Sequence, residues 1–141
     1  MSDLYGDDIL IWSERQAELL RRIAAGEPVN EAPDWPNIAE EIEDVGRSEL
    51  RSCRSLLRQA LRHMLKAEAW PFSRDAPNWR ADAIDFRRQA RDAFTPSMRQ
   101  KIDIAQLYAD ALAAMPEAMD GVPPIPIQTV VPMLDELLSD D

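Results

Sequence analysis

Apolar residues recur every three or four positions from Ile38 to Leu65, and this period constrains the fold more than any other feature of the sequence. It predicts one amphipathic helix over about 34–68, capped by Asp34 and with a proline in its first turn. Gly46 lies on the apolar stripe, where it either breaks the helix, with Ser48 recapping, or lets another backbone approach closely. The unbroken period favours the single long helix. The stripe comprises Ile38, Ile42, Gly46, Leu50, Cys53, Leu57, Leu61, Met64 and Leu65.

Four further segments carry helical signals. A first helix is capped by Ser2 or Asp3 and is stopped by a glycine and a proline at positions 26 and 28. Asn78 caps another helix, Thr95 followed by a proline starts the next, and Thr129 caps a short last helix. The predicted buried positions are Tyr5, Ile9, Trp12, Leu19, Leu20 and Ile23 in the first; Trp79, Ala83, Phe86, Ala90 and Phe94 in the second; Met98, Ile102, Ala105, Ala109 and Leu112 in the third; and Leu134, Leu137 and Leu138 in the last.

These segments define the predicted fold class, since no segment alternates apolar and polar residues with period two. We expect an all-α protein: an antiparallel helical bundle of four main helices plus a short C-terminal helix, with residues 1–141 forming a single helical domain. The proline-rich segment 116–128 is expected to be extended and packed on the body of the domain, because Val122, Ile125 and Ile127 would otherwise be exposed.

Charge is strongly segregated along the chain, within a net charge of −10. Residues 1–46 carry 12 acidic and 3 basic residues, residues 47–101 carry 6 acidic and 13 basic residues, and residues 102–141 carry 8 acidic residues and no base. Either the acidic ends fold back and pair with the basic middle, or the middle leaves a basic face exposed for an anionic partner. The overall negative charge argues against a dedicated nucleic-acid binder, because phosphate is repelled at long range.

Several classes of protein are excluded by the residues that are missing. No apolar run is long enough to span a bilayer, and no basic region precedes an apolar one at the N-terminus, so we expect a cytoplasmic protein without a membrane segment. One cysteine, Cys53, and one histidine, His63, exclude an internal disulfide and a zinc finger. No phosphate-binding glycine loop and no serine-nucleophile motif is present, so we predict neither a cofactor nor a metal.

The run from Asp34 to Glu49, DWPNIAEEIEDVGRSE, resembles the DWxNLAEEIExLGRSE signature of a bacterial family catalogued as domain of unknown function twenty-nine. Two other stretches agree. Tyr5, Asp8, Trp12, Gln16, Ala17, Leu19, Leu20 and Arg21 resemble the family's opening motif, and His63-Met64-Leu65-Lys66 followed by Trp79-Arg80 resembles its HLLK and SW elements. Departures occur at Ala67, where the family commonly has an aromatic residue, and at Ile127-Gln128-Thr129, which replaces a cysteine-proline-aromatic run. The resemblance implies an all-helical, single-domain bacterial protein and implies no activity.

A carboxylate cluster, Glu40, Glu41, Glu43 and Asp44, is the first candidate site. Helical spacing brings Glu40, Glu43 and Asp44 together, and Arg47 follows three and four residues after two of them. Ion pairing within the helix is the simpler interpretation. The alternative interpretation is a metal site, but a di-metal carboxylate bundle also needs histidines that this chain lacks.

Basic residues form a second candidate, a row at spacings of three and four: Arg47, Arg51, Arg54, Arg58, Arg62 and Lys66. Arg80, Arg87 and Arg91 form a shorter row with Arg88 beside them. Arginine favours two-point contacts with carboxylate or phosphate. These rows either pair with the chain's own acidic ends or bind an acidic protein or a nucleic acid.

Aromatic residues form the third candidate: Trp35, Trp70, Phe72 and Trp79 lie at helix ends or in loops. They either plug the ends of the bundle or line a pocket with His63 and Lys66 that would suit a small anion. His63 lies at the border of the apolar stripe, and no catalytic triad is readable around it. Cys53 lies on the buried face, where a cysteine acts as a small hydrophobe.

The sequence therefore favours a non-enzymatic cytoplasmic protein that binds an acidic or charged protein partner, or a second copy of itself. An alternative is a small-anion-binding or catalytic protein with a site near Glu40, Arg47, His63, Lys66 and Trp79. A second alternative is nucleic-acid binding through the arginine rows. The candidate surface comprises Trp35, Glu40, Glu43, Arg47, Arg51, Arg58, His63, Lys66 and Trp79.

Overall fold

The computed structural model describes residues 3–139 and confirms the predicted all-α class. Within these residues β-structure is limited to an isolated bridge between Met119 and Val122. None of the described helices combines the length and the apolar character needed to cross a membrane. The elements are α1 (Leu4–Asp7), α2 (Ile9–Ala24), α3 (Trp35–Ala69), α4 (Ala76–Ala93), a 3-10 helix (Pro96–Lys101), α5 (Ile104–Ala113) and α6 (Leu134–Leu137).

Residue contacts divide the chain into two compact units, and the division falls within α3 between Arg47 and Ser48. The first unit contains α1, α2 and the start of α3, and the second contains the rest of α3 and the elements that follow it. The organisation of residues 1–141 as a single domain stays a prediction.

The first unit begins with two helices where the sequence predicted one. The backbone leaves the helical conformation at Asp8, whose carboxylate accepts the N–H of Ile11 at 3.1 Å and caps α2. An aspartate competes well for such a cap, and this separates α1 from α2. Asp3 lies at the cap of α1 but makes no side-chain bond there, and Ser2, the other predicted cap, is outside the described residues. α2 ends as predicted, with Gly26 in the left-handed region at φ 77°.

α3 runs without a break through Gly46, as the apolar period predicted. A Cβ added at Gly46 would meet no atom within 4 Å, so the described chain does not use this glycine for close backbone approach.

The core of the second unit lies along the later part of α3. Leu57 and Cys53 are fully buried, and the Cys53 thiol points at the Ala90 carbonyl oxygen in α4, 3.6 Å away. The remaining members of this core are Leu61, Leu65, Ala90, Met98, Ile102, Leu107, Tyr108, Ala111 and Leu137. A second cluster contains Ala67, Ala69, Trp70, Ala76 and Trp79.

Two helix starts in the second unit differ from the prediction. α4 begins at Ala76 and not after Asn78, because Pro77 lacks an N–H and is tolerated in the first helical turn. The predicted helix after Thr95 is two elements. The chain becomes extended at Ile102, and the carboxylate of Asp103 then caps α5 by accepting the N–H of Gln106 at 3.1 Å.

This break changes which residues of α5 face the core. Leu107, Tyr108 and Ala111 are buried, whereas the predicted Ala105, Ala109 and Leu112 are exposed. The prediction was wrong because one continuous period was read across a new helix start.

The proline-rich segment is extended, and of its three predicted apolar anchors Ile127 is partly buried and packs against the core. Val122 and Ile125 are 54% and 49% exposed, while backbone bonds join the Ile125 N–H to the Ala69 carbonyl and the Trp70 indole N–H to the Val122 carbonyl. Thr129 does not cap the last helix. α6 begins at Leu134, where the Glu136 carboxylate accepts the N–H of Met133.

Candidate functional site

The predicted carboxylate cluster is an ion-pair group around one arginine. The guanidinium of Arg47 lies 2.9 Å from a Glu40 oxygen, 3.6 Å from Glu43 and 2.7 Å from Asp44. The hydrogen bond from Arg47 to Asp44 raises the pKa of the guanidinium. Within residues 3–139 no group of three or more histidines, cysteines or acids is placed to hold a metal ion. The positive charge of Arg47 is therefore balanced within its own helix.

The residues of the family-like motifs interlock in the first unit. The indole N–H of Trp12 donates to the Asp34 carboxylate at 3.0 Å, and the Asn37 amide donates to the same oxygen at 2.8 Å. The buried Gln16 accepts the backbone N–H of Asp34 at 2.7 Å. The hydrogen bonds to its carboxylate, from Asn37 first and then from Trp12, lower the pKa of Asp34. The motif residues thus tie α2 to the start of α3.

Tyr5 adds a second tie between the start of the chain and α3. Its hydroxyl donates to the Glu41 carboxylate at 2.6 Å, and its ring meets that of Trp12 edge-on at 4.7 Å. The bond to Glu41, with burial and nearby carboxylates, raises the pKa of Tyr5 to about 12. Trp35, by contrast, is 55% exposed and makes no described side-chain bond.

The arginine row continues along α3 in the second unit with little internal neutralisation. Arg51 and Arg58 are exposed and Arg62 is partly exposed, and none of the three makes a hydrogen bond or ion pair to a described residue. Arg54 donates to the backbone carbonyl of Lys101 at 2.8 Å, which leaves its charge uncompensated. The sequence interpretation that these arginines pair with the acidic ends does not hold for the described part of the chain.

His63, Lys66 and Trp79 form a separate group. The Nδ1 of His63 donates to the carbonyl of Gln59 at 2.8 Å, and its Nε2 lies 3.8 Å from Asp82. The ammonium of Lys66 lies 6.0 Å from the centre of the buried Trp79 ring. The alternative site near Glu40, Arg47, His63, Lys66 and Trp79 thus falls into two groups, and each makes its contacts within its own unit.

The other aromatic and sulfur candidates divide by burial. Trp70 is buried, whereas Phe72 is 98% exposed, so the aromatic residues do not act as one set. Burial raises the pKa of the Cys53 thiol, which fits a cysteine that packs and does not react.

Within the shorter arginine row, Arg87 holds the C-terminal turn. Arg87 donates to the carbonyl oxygens of Leu137 at 3.0 Å and Glu136 at 2.9 Å, as a cation suits a helix C-terminus. Arg88 lies 4.0 Å from Asp85, and Arg91 also has an interaction partner. Arg80 is exposed and makes no hydrogen bond or ion pair within residues 3–139.

A polar arrangement that sequence reasoning missed surrounds Glu68. Its carboxylate oxygen accepts the backbone N–H groups of Gln128 and Thr129, each at 3.0 Å, and the Tyr108 hydroxyl donates to the Thr129 carbonyl at 2.7 Å. Burial alone would raise the pKa of Glu68, but the hydrogen bonds from Thr129 and Gln128 lower it on balance. Burial, with the nearby Glu68 charge, raises the pKa of Tyr108. No local sequence signal marks this set, because its members lie 21 to 61 residues apart.

A cavity of about 490 Å³ lies beside this arrangement in the second unit. α3 and α4 form most of its wall, and the segment after Gln128 covers one side. Its lining residues are Leu61, Met64, Leu65, Ala67, Glu68, Arg80, Ala83, Ile84, Arg87, Tyr108, Thr129 and Pro132. The cavity is therefore mostly apolar, with a few charged and hydroxyl groups.

Comparison with known proteins shows the family to which this chain belongs. The family model described as "Domain of unknown function DUF29" matches residues 4–141. The crystal structure of an alpha-helical protein of unknown function from Rhodospirillum rubrum is 31% identical, with a TM-score of 0.64, and the match covers 100% of this chain and 92% of that one. No curated protein matches the chain. The predicted family is thereby confirmed, and the chain belongs to the DUF29 family.

Proposed function

We propose that this protein binds an acidic protein partner through an arginine face on α3, defined as Arg51, Arg54, Arg58 and Arg62. The observation that carries the proposal is the lack of intramolecular partners for three of the four, within the described residues of a chain that has 26 acidic residues. By contrast, Arg47 is neutralised by carboxylates of its own helix.

The spacing of the arginine face supports a single contact surface. Intervals of three, four and four keep the four side chains on one side of a helix, away from the buried Cys53 and Leu57. Guanidinium groups bind carboxylates through two parallel hydrogen bonds, which gives geometry as well as charge. An acidic protein surface therefore suits this face.

The net charge of −10 favours a protein partner over nucleic acid. A polyanion is repelled by the whole molecule at long range, whereas a compact acidic patch can meet the arginine face alone. The proposal includes action in the cytoplasm, which the lone, buried and unpaired Cys53 supports. It does not include an enzymatic activity.

Affinity capture from the native bacterial lysate, with and without nuclease, tests the proposal. We expect a stoichiometric protein partner that survives nuclease. Its dissociation constant, measured with purified components, should rise at least about 10-fold in the double variant Arg51→Glu/Arg58→Glu and should rise with salt.

The matched control is Arg21→Glu/Arg74→Glu, which makes the same charge change at exposed arginines outside the face. It should bind as the wild type does. Equal binding by both double variants would refute the arginine face. Nucleic acid as the captured species would establish the nucleic-acid alternative, and an empty capture with a monomer in light scattering would refute the interaction function.

A further inference from the structure

We propose that the 490 Å³ cavity of the second unit is a binding site for an amphipathic organic monoanion, namely a carboxylate on an apolar chain or ring. This site is distinct from the arginine face and does not depend on the function proposed for it. Its volume falls in the range of small-molecule sites, about 300–1,000 Å³.

The walls of the cavity favour an apolar ligand body. Leu61, Leu65 and Ala83 are buried residues that contribute to its lining. Ile84 also lines the cavity and is 56% exposed, so it carries apolar surface that a ligand could cover. Covering such a surface is favourable in proportion to its area.

Most polar groups of the cavity are already engaged. Glu68 accepts two backbone N–H groups, Tyr108 donates to Thr129, and Arg87 donates to carbonyls of the C-terminal turn. Arg80 differs, because its guanidinium has no hydrogen-bond or ion-pair partner within residues 3–139. Arg80 is therefore the lining residue to which the anionic group of a ligand can bind.

The charge of the ligand is limited by Glu68. This carboxylate also lines the cavity, and its lowered pKa keeps it negative at neutral pH. One ligand carboxylate can pair with Arg80, and Glu68 repels this single charge less than it repels a di- or triphosphate. The arrangement selects a monoanion with an apolar body over a nucleotide.

Octanoate is the probe, and octan-1-ol is its neutral counterpart of equal chain length. We titrate each into the full-length protein and follow binding by calorimetry and by amide shifts in two-dimensional NMR. We expect saturable binding of one octanoate, with shifts at Ile84 and Thr129 and none at Arg51 or Arg58. Octan-1-ol should bind at least about 10-fold more weakly, because it makes no charged bond to Arg80.

Two variants locate the site. Arg80→Gln should weaken octanoate at least about 10-fold and leave octan-1-ol unchanged, while Arg74→Gln, at an exposed arginine outside the cavity, should change neither. Ile84→Glu should abolish octanoate binding; this position is exposed enough to accept a charge without loss of fold, which circular dichroism checks.

Three results would overturn the inference. Absence of saturable octanoate binding up to millimolar concentration refutes the site. Equal binding to wild type and Arg80→Gln refutes the anion assignment. Shifts confined to Arg51 and Arg58 place the ligand on the arginine face and not in the cavity.

Discussion

Replacement of Glu68 by glutamine should release the C-terminal segment locally. The carboxylate holds the backbone N–H groups of Gln128 and Thr129 at 3.0 Å, and these two bonds join the segment to α3. A hydrogen bond to a charged group contributes about 1.5–3 kcal/mol to the stability of the folded state. Glutamine keeps an acceptor oxygen and the site is partly open to water, so we expect a loss of about 1.4 kcal/mol for the pair, a factor of about 10 in the opening equilibrium.

Amide hydrogen exchange at Gln128 and Thr129 measures this release directly. At neutral pH the exchange of both amides, corrected for intrinsic rates, should be about 10-fold faster in Glu68→Gln than in the wild type. The control Glu117→Gln changes an exposed glutamate without a described partner and should leave these rates unaltered. A change of less than twofold in Glu68→Gln, or an equal change in the control, would refute the reasoning.

The pH dependence of the same bonds has a definite sign. The pKa of Glu68 is lower in the folded protein than its ordinary value of 4.5. The stabilisation is therefore fully present above pH 4.5 and is lost as the pH falls through the lowered pKa. The wild type and Glu68→Gln should converge in acid, and a difference that persists there would assign the effect to packing and not to charge.

Three further changes test the first unit and α3. Trp12→Phe removes the indole hydrogen bond to Asp34 and should lower the free energy of unfolding, measured in urea, by about 2 kcal/mol. The control Trp35→Phe, at a half-exposed ring, should change it by less than about 0.5 kcal/mol. Equal losses in the two variants would contradict a stabilising bond between Trp12 and Asp34. Gly46→Ala should raise the melting temperature by about 2–4 °C, because a Cβ at this position meets open space and alanine stabilises a helix by about 1 kcal/mol relative to glycine. A lower melting temperature would mean that another atom of the protein occupies the space that the added Cβ needs. Tyr5 should ionise at about 12 in an ultraviolet pH titration and nearer 10 in Glu41→Gln; an unchanged midpoint would show that the bond to Glu41 is not the cause.

The motif residues illustrate why a family signature need not mark an active site. Its members include polar and aromatic residues, which are typical of active sites: Trp12, Gln16, Asp34 and Asn37. In the structure they hydrogen-bond to one another and join α2 to α3, while Tyr5 bonds to Glu41 in the same unit. Their side chains satisfy one another at a helix junction, which is a structural use of polar groups.

The order of the helices and the faces that they bury could be predicted largely from local sequence rules. The period of α3 could be predicted because apolar residues recur every three or four positions, and the unbroken helix through Gly46 followed from it. The predicted stripe is buried at Cys53 and Leu57, whereas Ile42 is 68% exposed. The capping of α5 by Asp103 was not read, since Thr95 followed by a proline offered an equally good local start. The structure uses both positions, since the 3-10 helix begins at Pro96 and α5 begins at Ile104, and a one-dimensional pattern does not show that the chain becomes extended between them.

The sequence by itself determined the all-α class, the family, the long third helix and the positions of its charges, because all of these depend on neighbours within a few turns or on a contiguous motif. Only the tertiary structure decided which charges are used. Arg51 and Arg58 meet no acidic side chain among the described residues, and Glu68 meets Gln128 and Thr129 from 60 and 61 residues away. Such pairings depend on how distant segments meet in space, and local periodicity carries no information about that distance.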